Sequence, residues 1–314
     1  FKQKTAYEIG VRLVGSEMCI RDRAAAGPDS RLAAAAEIAG TRGGIAMSLA
    51  ATPIPVAQSA DSPLLTVRDL SMRFGGLLAV DNVAFDVRRG QIFAIIGPNG
   101  AGKTTVFNCV GGFYQPTTGS VALDGQVINH LPSHRIARLG LVRTFQNVRL
   151  FKTMSVVENL LISQHTQLET RLLPGLFKTP KYRRAEADAL ERAAFWLEKV
   201  GLLAVANREA GNLAYGQQRR LEIARCMITH PKVLMLDEPA AGLNPQETRD
   251  LDRLINELRA NHDVAVLLIE HDMSLVMGIS DEILVMEYGR PIATGAPAEI
   301  RNNPKVIKAY LGEE

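Results

Sequence analysis

The sequence predicts an α/β fold, and three stretches carry that prediction. The first is Gly97-Pro98-Asn99-Gly100-Ala101-Gly102-Lys103-Thr104-Thr105, entered by an apolar run at 92–96 and left by the periodic Val106, Phe107 and Val110. Strand, glycine loop and helix follow one another there, the context in which G-x-x-x-x-G-K-[ST] binds a nucleoside triphosphate. The second is Val233-Leu234-Met235-Leu236, a continuously apolar run ending in Asp237-Glu238. Buried parallel strands have that composition, and open α/β sheets bind ligands at the carboxyl ends of their strands. The third is renewed alternation of helix and strand, at 246–260 and 264–269.

Taken in order, residues 1–46 do not read like the rest. The first 23 show no clear period, and 24–46 are Ala/Gly/Arg-rich without an aromatic residue. They are expected to be a non-native or disordered leader, with the natural start at Met47. Residues 47–63, with three prolines from Pro53 on, read as an extended lead-in. From Leu64 to Glu314 a single domain is expected. Residues 65–70 and 83–87 alternate apolar and polar like half-buried antiparallel strands, with Arg73-Phe74-Gly75-Gly76 between them. Strand 121–123 is followed by Asp124-Gly125, a tight hairpin turn. Residues 160–203 are mostly helical, interrupted by Leu173-Pro174-Gly175 and by a basic run at 178–184. From Ala185 on, Leu190, Ala194, Leu197 and Val200 recur at helical spacing. The basic run reads as a solvated face, with lipid or partner contact as the alternative. Asn244 and Pro245 mark the start of the 246–260 helix, whose buried stripe is Leu251, Leu254, Ile255 and Leu258.

Bulk properties narrow the function classes. With 46% hydrophobic and 22% charged residues, the chain has the composition of a globular protein with a substantial core. A net charge of +3 gives no argument for a nucleic-acid or membrane-surface partner. The three cysteines, Cys19, Cys109 and Cys226, show no metal-ligand spacing and fit a reducing compartment. Cys109 and Cys226 fall in helical patterns and are expected to be buried. No apolar run reaches the ~18 residues that span a bilayer. The stretch at 43–60 only loosely mimics a secretory signal, so membrane attachment is expected through a partner.

The two nucleotide motifs assign chemistry residue by residue. Gly97, Gly100 and Gly102, with Pro98, Asn99 and Ala101 between them, let backbone N–H groups turn inward around an anion. The helix starting near Lys103 adds its positive end. Lys103 can reach the outer phosphates, Thr104 can hold Mg²⁺ with Thr105 beside it, and Asp237 can hold Mg²⁺ through water. Glu238 is placed to orient and deprotonate an attacking water.

Further motifs point to a family. Leu213-Ala214-Tyr215-Gly216-Gln217 resembles the L-S-G-G-Q signature of ABC-type ATPases. Gln146 resembles their Q-loop glutamine, His271 their switch histidine, and Phe74 the aromatic that stacks on adenine. This resemblance spans about 64–314. It implies a P-loop ATPase of the ABC type, with a mixed-sheet core, an antiparallel β subdomain and an α-helical subdomain at about 151–226. It also implies ATP and Mg²⁺ as ligands, with Gln146 beside the metal and the signature facing the γ-phosphate of an opposing subunit. The start of the signature helix, with its free N–H groups, would form that second anion site.

Longer matches narrow the resemblance. They are Phe145-Gln146-Asn147-Val148-Arg149-Leu150-Phe151, Met154-Ser155-Val156-Val157-Glu158-Asn159-Leu160, the stretch from Asp237 to Pro245, Ile269-Glu270-His271-Asp272-Met273, and the tail from Ala309 to Glu313. Together they resemble the LivG-type ATPase subunit of branched-chain amino acid importers. That implies a head-to-tail pairing with a LivF-type ATPase beneath two transmembrane permease subunits, at the cytoplasmic face of a bacterial inner membrane. A periplasmic binding protein would be an indirect partner, and nucleic acid is not expected. A groove after Gln146 would take a coupling helix from a permease. Ala214, Tyr215 and Asn244 depart from the common ABC pattern but belong to the LivG type. The half-site that this signature supplies is accordingly expected to be the weaker of the two. Transport of urea, amides or lipid, and a soluble non-transport role, stand as alternatives.

Overall fold

The structure, a computed structural model, describes residues 62–146, 148–164 and 180–311. The expectations for 1–46 and for nearly all of 47–63 lie outside the described residues, as do 178–179 and the side chains of 180–183 in the basic run. Strands β1 (Leu65–Phe74), β2 (Leu77–Val87), β4 (Thr118–Leu123) and β5 (Gln126–Val127) form an antiparallel sheet in the order β2-β1-β4-β5. The first two are longer than their alternation predicts. Phe74 lies inside β1, opposite Leu77, and only Gly75 and Gly76 turn the hairpin. Asp124 and Gly125 both have positive φ, at 49° and 77°, as a tight two-residue hairpin requires.

The second sheet runs β10-β9-β3-β8-β7-β6. Its strands are β3 (Ile92–Ile96), β6 (Leu141–Arg143), β7 (Val233–Asp237), β8 (Ala265–Ile269), β9 (Glu282–Glu287) and β10 (Arg290–Gly295). All neighbouring pairs are parallel except β9 with β10. Side chains alternate across a strand, so one apolar strand feeds two cores. Ile92, Ala94 and Ile96 face a core shared with the helices, whereas Phe93 and Ile95 face one shared with β1, β2 and helix α1 (Lys103–Val110). The continuous hydrophobicity of β3, β7 and β8 follows from burial on both faces.

A short helix α2 (Ser133–Arg138) precedes β6. Between β6 and β7 the described chain is helical: α3 (Val156–Ser163), α4 (Pro180–Lys199) and α5 (Tyr215–Met227). Helix α4 begins within the basic run rather than after it. Its buried face is Ala189, Ala193, Trp196, Leu197 and Val200. That corrects the expected set: Leu190 and Ala194 are only half-buried, and Ala189, Ala193 and Trp196 join Leu197 and Val200. Trp196 was hidden from the spacing argument because its neighbour Phe195, equally apolar, is exposed. Helix α6 (Pro245–His262) starts where its cap predicts: the Asn244 side chain accepts from the N–H groups of Gln246 and Glu247 at 2.9 and 3.0 Å, and Glu247 answers to the Asn244 N–H at 3.0 Å. Such a reciprocal cap contributes about 1 kcal/mol. Leu251, Leu254, Ile255 and Leu258 are its buried residues. Helices α7 (Met273–Ile279), α8 (Pro297–Arg301) and α9 (Pro304–Leu311) complete the described chain.

Cys109 and Cys226 are buried, and burial pushes their thiols up to about 11 and about 12. They are inert fillers of the core. No described helix is long and apolar enough to cross a membrane.

Candidate functional site: a phosphate loop, a carboxylate triad and a detached signature

The glycine loop joins the end of β3 to α1, and its geometry demands glycine where the motif has it. Gly97 has φ 149°, and a Cβ there would run into the Met286 carbonyl of β9. Gly102 caps α1 at φ 94°, and a Cβ there would come within 2.7 Å of the Ala79 carbonyl oxygen. Both positions allow the loop to lie hard against its neighbours. Lys103 is 6% exposed and its Nζ donates to the Gly97 and Pro98 carbonyls at 2.6 and 2.9 Å. Burial lowers its pKa, against the pull of Glu238 and Asp237. A cation held this way is poised for the anion that would replace those carbonyls. From the other side, the Tyr310 hydroxyl of α9 meets the Gly97 backbone.

Beside the loop lies an open groove of about 470 Å³, lined by Leu77–Ala79, Asn99–Thr105, Glu238, His271, Tyr288 and Gly289. Phe74 does not line it. It sits edge-on to Tyr114, ring centroids 5.3 Å apart, across the strand pair from the groove-lining Leu77. Tyr288, 87% exposed, is the aromatic that does. Its only sequence signal was a position just before Gly289, in the β9–β10 hairpin.

At the end of β7 the two acids diverge. Asp237 is buried, and its Oδ2 is 2.5 Å from Arg143 Nη2, whose Nη1 donates to Asn108 at 2.6 Å. Arg143 lies among the rings of Phe107, Phe113 and Phe145, each 5.5–5.6 Å away. Glu238 takes a left-handed conformation, φ 47°, with its N–H bonded to Ile269 O at 2.9 Å. A non-glycine residue in that region costs on the order of 1 kcal/mol. The turn swings the Glu238 carboxylate away from Asp237 and onto two partners. Gln146 Nε2 donates to Oε2 at 3.1 Å, and His271 Nε2 lies 2.9 Å from Oε1. Three residues expected from separate motifs therefore meet at one carboxylate.

Glu270 organises this cluster from beneath and was not singled out in the sequence. It is 3% exposed; Oε1 accepts from Ala240 N–H at 2.7 Å and Oε2 from His271 N–H at 2.8 Å. It thereby ties the loop after Glu238 to the histidine. An acid directly following the apolar strand 264–269 was the available signal.

The signature residues stand apart from the groove. Leu213 is buried, Ala214 is the N-cap of α5, and Tyr215 is exposed with its ring over the Arg219 guanidinium at 5.4 Å. Gly216 is buried against α6, and Gln217 Oε1 accepts from Ala214 N–H at 3.2 Å. Alanine has no oxygen to return that bond, so the cap is half made. Ala214→Ser is expected to complete it, raising stability by about 1 kcal/mol and turnover not at all or upward. Thermal melting of the chain and ATP turnover of the assembled complex check this; a large drop in turnover would mean that alanine is required.

A glycine loop between a parallel strand and a helix, with a strand-end aspartate and a neighbouring carboxylate in reach, defines a P-loop nucleotide-binding ATPase. The comparisons with known proteins make the class specific. Residues 80–241 match the family model described as ABC transporter, and residues 290–314 match that of the branched-chain amino acid ATP-binding cassette transporter. The LivG high-affinity branched-chain amino acid transport ATP-binding protein of Salmonella typhimurium is 64% identical over 251 residues, covering 80% of this chain and 98% of that one. BraF of Pseudomonas aeruginosa, described in the same terms, is 66% identical with the same coverage. The crystal structure of the ADP conformation of MJ1267, an ATP-binding cassette of an ABC transporter, is 33% identical with a TM-score of 0.70, covering 80% of this chain and all of that one. The chain belongs to the ABC transporter ATP-binding family, in its LivG-type branched-chain amino acid group, and is an ATPase of that family. Residues 290–314 include Tyr310, so the segment that marks this group also touches the phosphate loop.

Proposed function

We propose that the chain binds and hydrolyses ATP to power import of branched-chain amino acids, as one of two ATPase subunits beneath a pair of transmembrane subunits. The meeting of Gln146, Glu238 and His271 beside the glycine loop carries the hydrolytic part of this reading. The relatives' descriptions and the match at 290–314 support the cargo.

In this account residues 97–105 hold the phosphates through backbone N–H groups and the Lys103 ammonium. Leu77 and Tyr288, which line the groove, offer apolar surface for the base, with Phe74 paired across the hairpin from Leu77. Thr104 and Asp237 present hard oxygen donors, which fit Mg²⁺, a cation that keeps several waters and phosphate oxygens as ligands. Gln146, bonded to Glu238 at 3.1 Å, would join them. Mg²⁺ would supply charge neutralisation on the β and γ oxygens. Glu238 accepts from Gln146 and faces His271, yet an ionised carboxylate offers about four lone-pair sites. The remaining ones can accept a proton from water attacking the γ-phosphorus as the bond to ADP breaks. His271 then stabilises the charge beside it.

Leu213, Ala214, Tyr215, Gly216 and Gln217 serve a triphosphate held on a second, LivF-type ATPase, and that subunit's signature completes the groove described here. The chain would lie at the cytoplasmic face of the inner membrane, attached through the permeases, with a periplasmic binding protein delivering the cargo and no nucleic acid involved. Reconstitution with these subunits and a labelled-leucine uptake assay tests the whole reading. ATP-dependent uptake competed by isoleucine and valine is the expected result. Competition by urea or short amides instead would move the cargo, and no uptake of any of these would refute it.

A further inference from the structure

We propose that Arg219 and Glu222 form a clamp that ties the first turns of α5 to the backbone around Gln146, so that a phosphate engaging the start of α5 also sets Gln146 against Glu238. The inference rests on the roles proposed for Gln146 and Glu238, and it adds a route between the two half-sites.

Both residues are buried, at 2% and 5% exposure. Arg219 Nη1 donates to Phe145 O at 2.7 Å and lies 3.2 Å from Glu222 Oε2, while Nη2 donates to Gln146 O. Glu222 Oε1 accepts from the N–H groups of Phe145 and Arg149 at 3.4 Å each. Among the described residues, the partners outside α5 are Phe145, Gln146 and Arg149. From there Gln146 Nε2 continues to Glu238 Oε2. A hydrogen-bonded path thus runs from the helix that carries the signature to the carboxylate beside this chain's own phosphate loop. At its outer end, the exposed Tyr215 covers the Arg219 guanidinium, which gives the tyrosine in the signature a physical place in the path.

Packing alone does not call for these charges. Well-packed apolar residues of similar volume usually replace a buried ion pair without loss of stability. A guanidinium, by contrast, spans two carbonyls and a carboxylate in one rigid plane, which an ammonium cannot do. The arrangement transmits displacement because both groups are buried and bonded directly to each other and to the 145–149 backbone. Arg219 and Glu222 are therefore positioning residues that act through Gln146.

The test uses the chain assembled with its second ATPase and membrane subunits, comparing Arg219→Met, Arg219→Lys, and the paired apolar variant Arg219→Met with Glu222→Leu. The paired variant leaves no buried charge and so guards against simple misfolding. Nucleotide affinity of the isolated chain should stay at the wild-type value, since neither residue lines the groove. In the assembly, kcat should fall by about tenfold with KM for ATP little changed, the size typical of a coupling between sites. The Hill coefficient for ATP should drop towards one, and lysine should not restore it. Wild-type kcat and cooperativity in the paired variant, or full rescue by lysine, would overturn the clamp. Glu238→Gln is run in parallel. If it is inactive while the clamp variants behave as wild type, the clamp alone fails; if it turns over freely, the site reading fails and the clamp with it.

Discussion

Replacing Glu238 by glutamine is expected to lower ATP turnover by about 10²–10⁴-fold, the contribution of a positioned base, while nucleotide binding persists. The variant isolates the proton because the geometry can survive it. A carboxamide oxygen can still accept from Gln146 Nε2, now at 3.1 Å from Oε2, and its nitrogen can face His271 in the tautomer that accepts at Nε2. The left-handed turn that aims residue 238 is a backbone property and is unchanged. What disappears is the ability to take a proton from water. With hydrolysis blocked, the ATP-bound pair of ATPase subunits should accumulate as a stable closed dimer, visible by size-exclusion chromatography in Mg²⁺ and ATP. Turnover within a few-fold of wild type would remove Glu238 from this role.

Lys103→Ala is expected to weaken nucleotide binding by roughly 100-fold, about 2.7 kcal/mol, as befits the loss of charge-assisted bonds from a buried ammonium. The same change leaves the Gly97 and Pro98 carbonyls without the donor they have at 2.6 and 2.9 Å, so the free protein should also melt earlier. Arginine should rescue poorly, because its planar fork does not fit where a compact ammonium sits between two loop carbonyls. Burial lowers the Lys103 pKa, so the ammonium is lost at a lower pH than the ordinary 10.5. Affinity should consequently decline on the alkaline side before an exposed lysine would titrate. Fluorescent-nucleotide titration against pH reads both effects, and affinity within twofold of wild type in Lys103→Ala would contradict them.

Local motifs were the most legible part of the chain, because they encode backbone geometry within a few residues. The glycines of 97–102 declare positive φ and close approach, Asn244 and Pro245 declare a helix start, and the unbroken hydrophobicity of β3, β7 and β8 declares a sheet covered on both faces. Ambiguity began where neighbours are equally apolar, as with Phe195 and Trp196 on α4. It also began where a strand outlasts its alternation, as β1 does through Phe74. The buried polar contacts were hardest to foresee. Arg219 and Phe145 are 74 positions apart, and Arg143 and Asp237 are 94 apart. Nothing in the spacing of either pair announces a contact that exists only once α5 and β6 have packed onto the sheet. The residues of the expected triad could be named from their motifs, but their convergence on one carboxylate could not.

Each ATP is proposed to be hydrolysed between the groove of one subunit and the signature of another. The specific ATPase activity of the isolated chain, followed against its concentration and then on titration with the second ATPase subunit, tests this pairing. Negligible turnover is expected at dilutions where the chain is monomeric, with activity rising as facing partners become available. Full turnover by a demonstrably monomeric chain would contradict it.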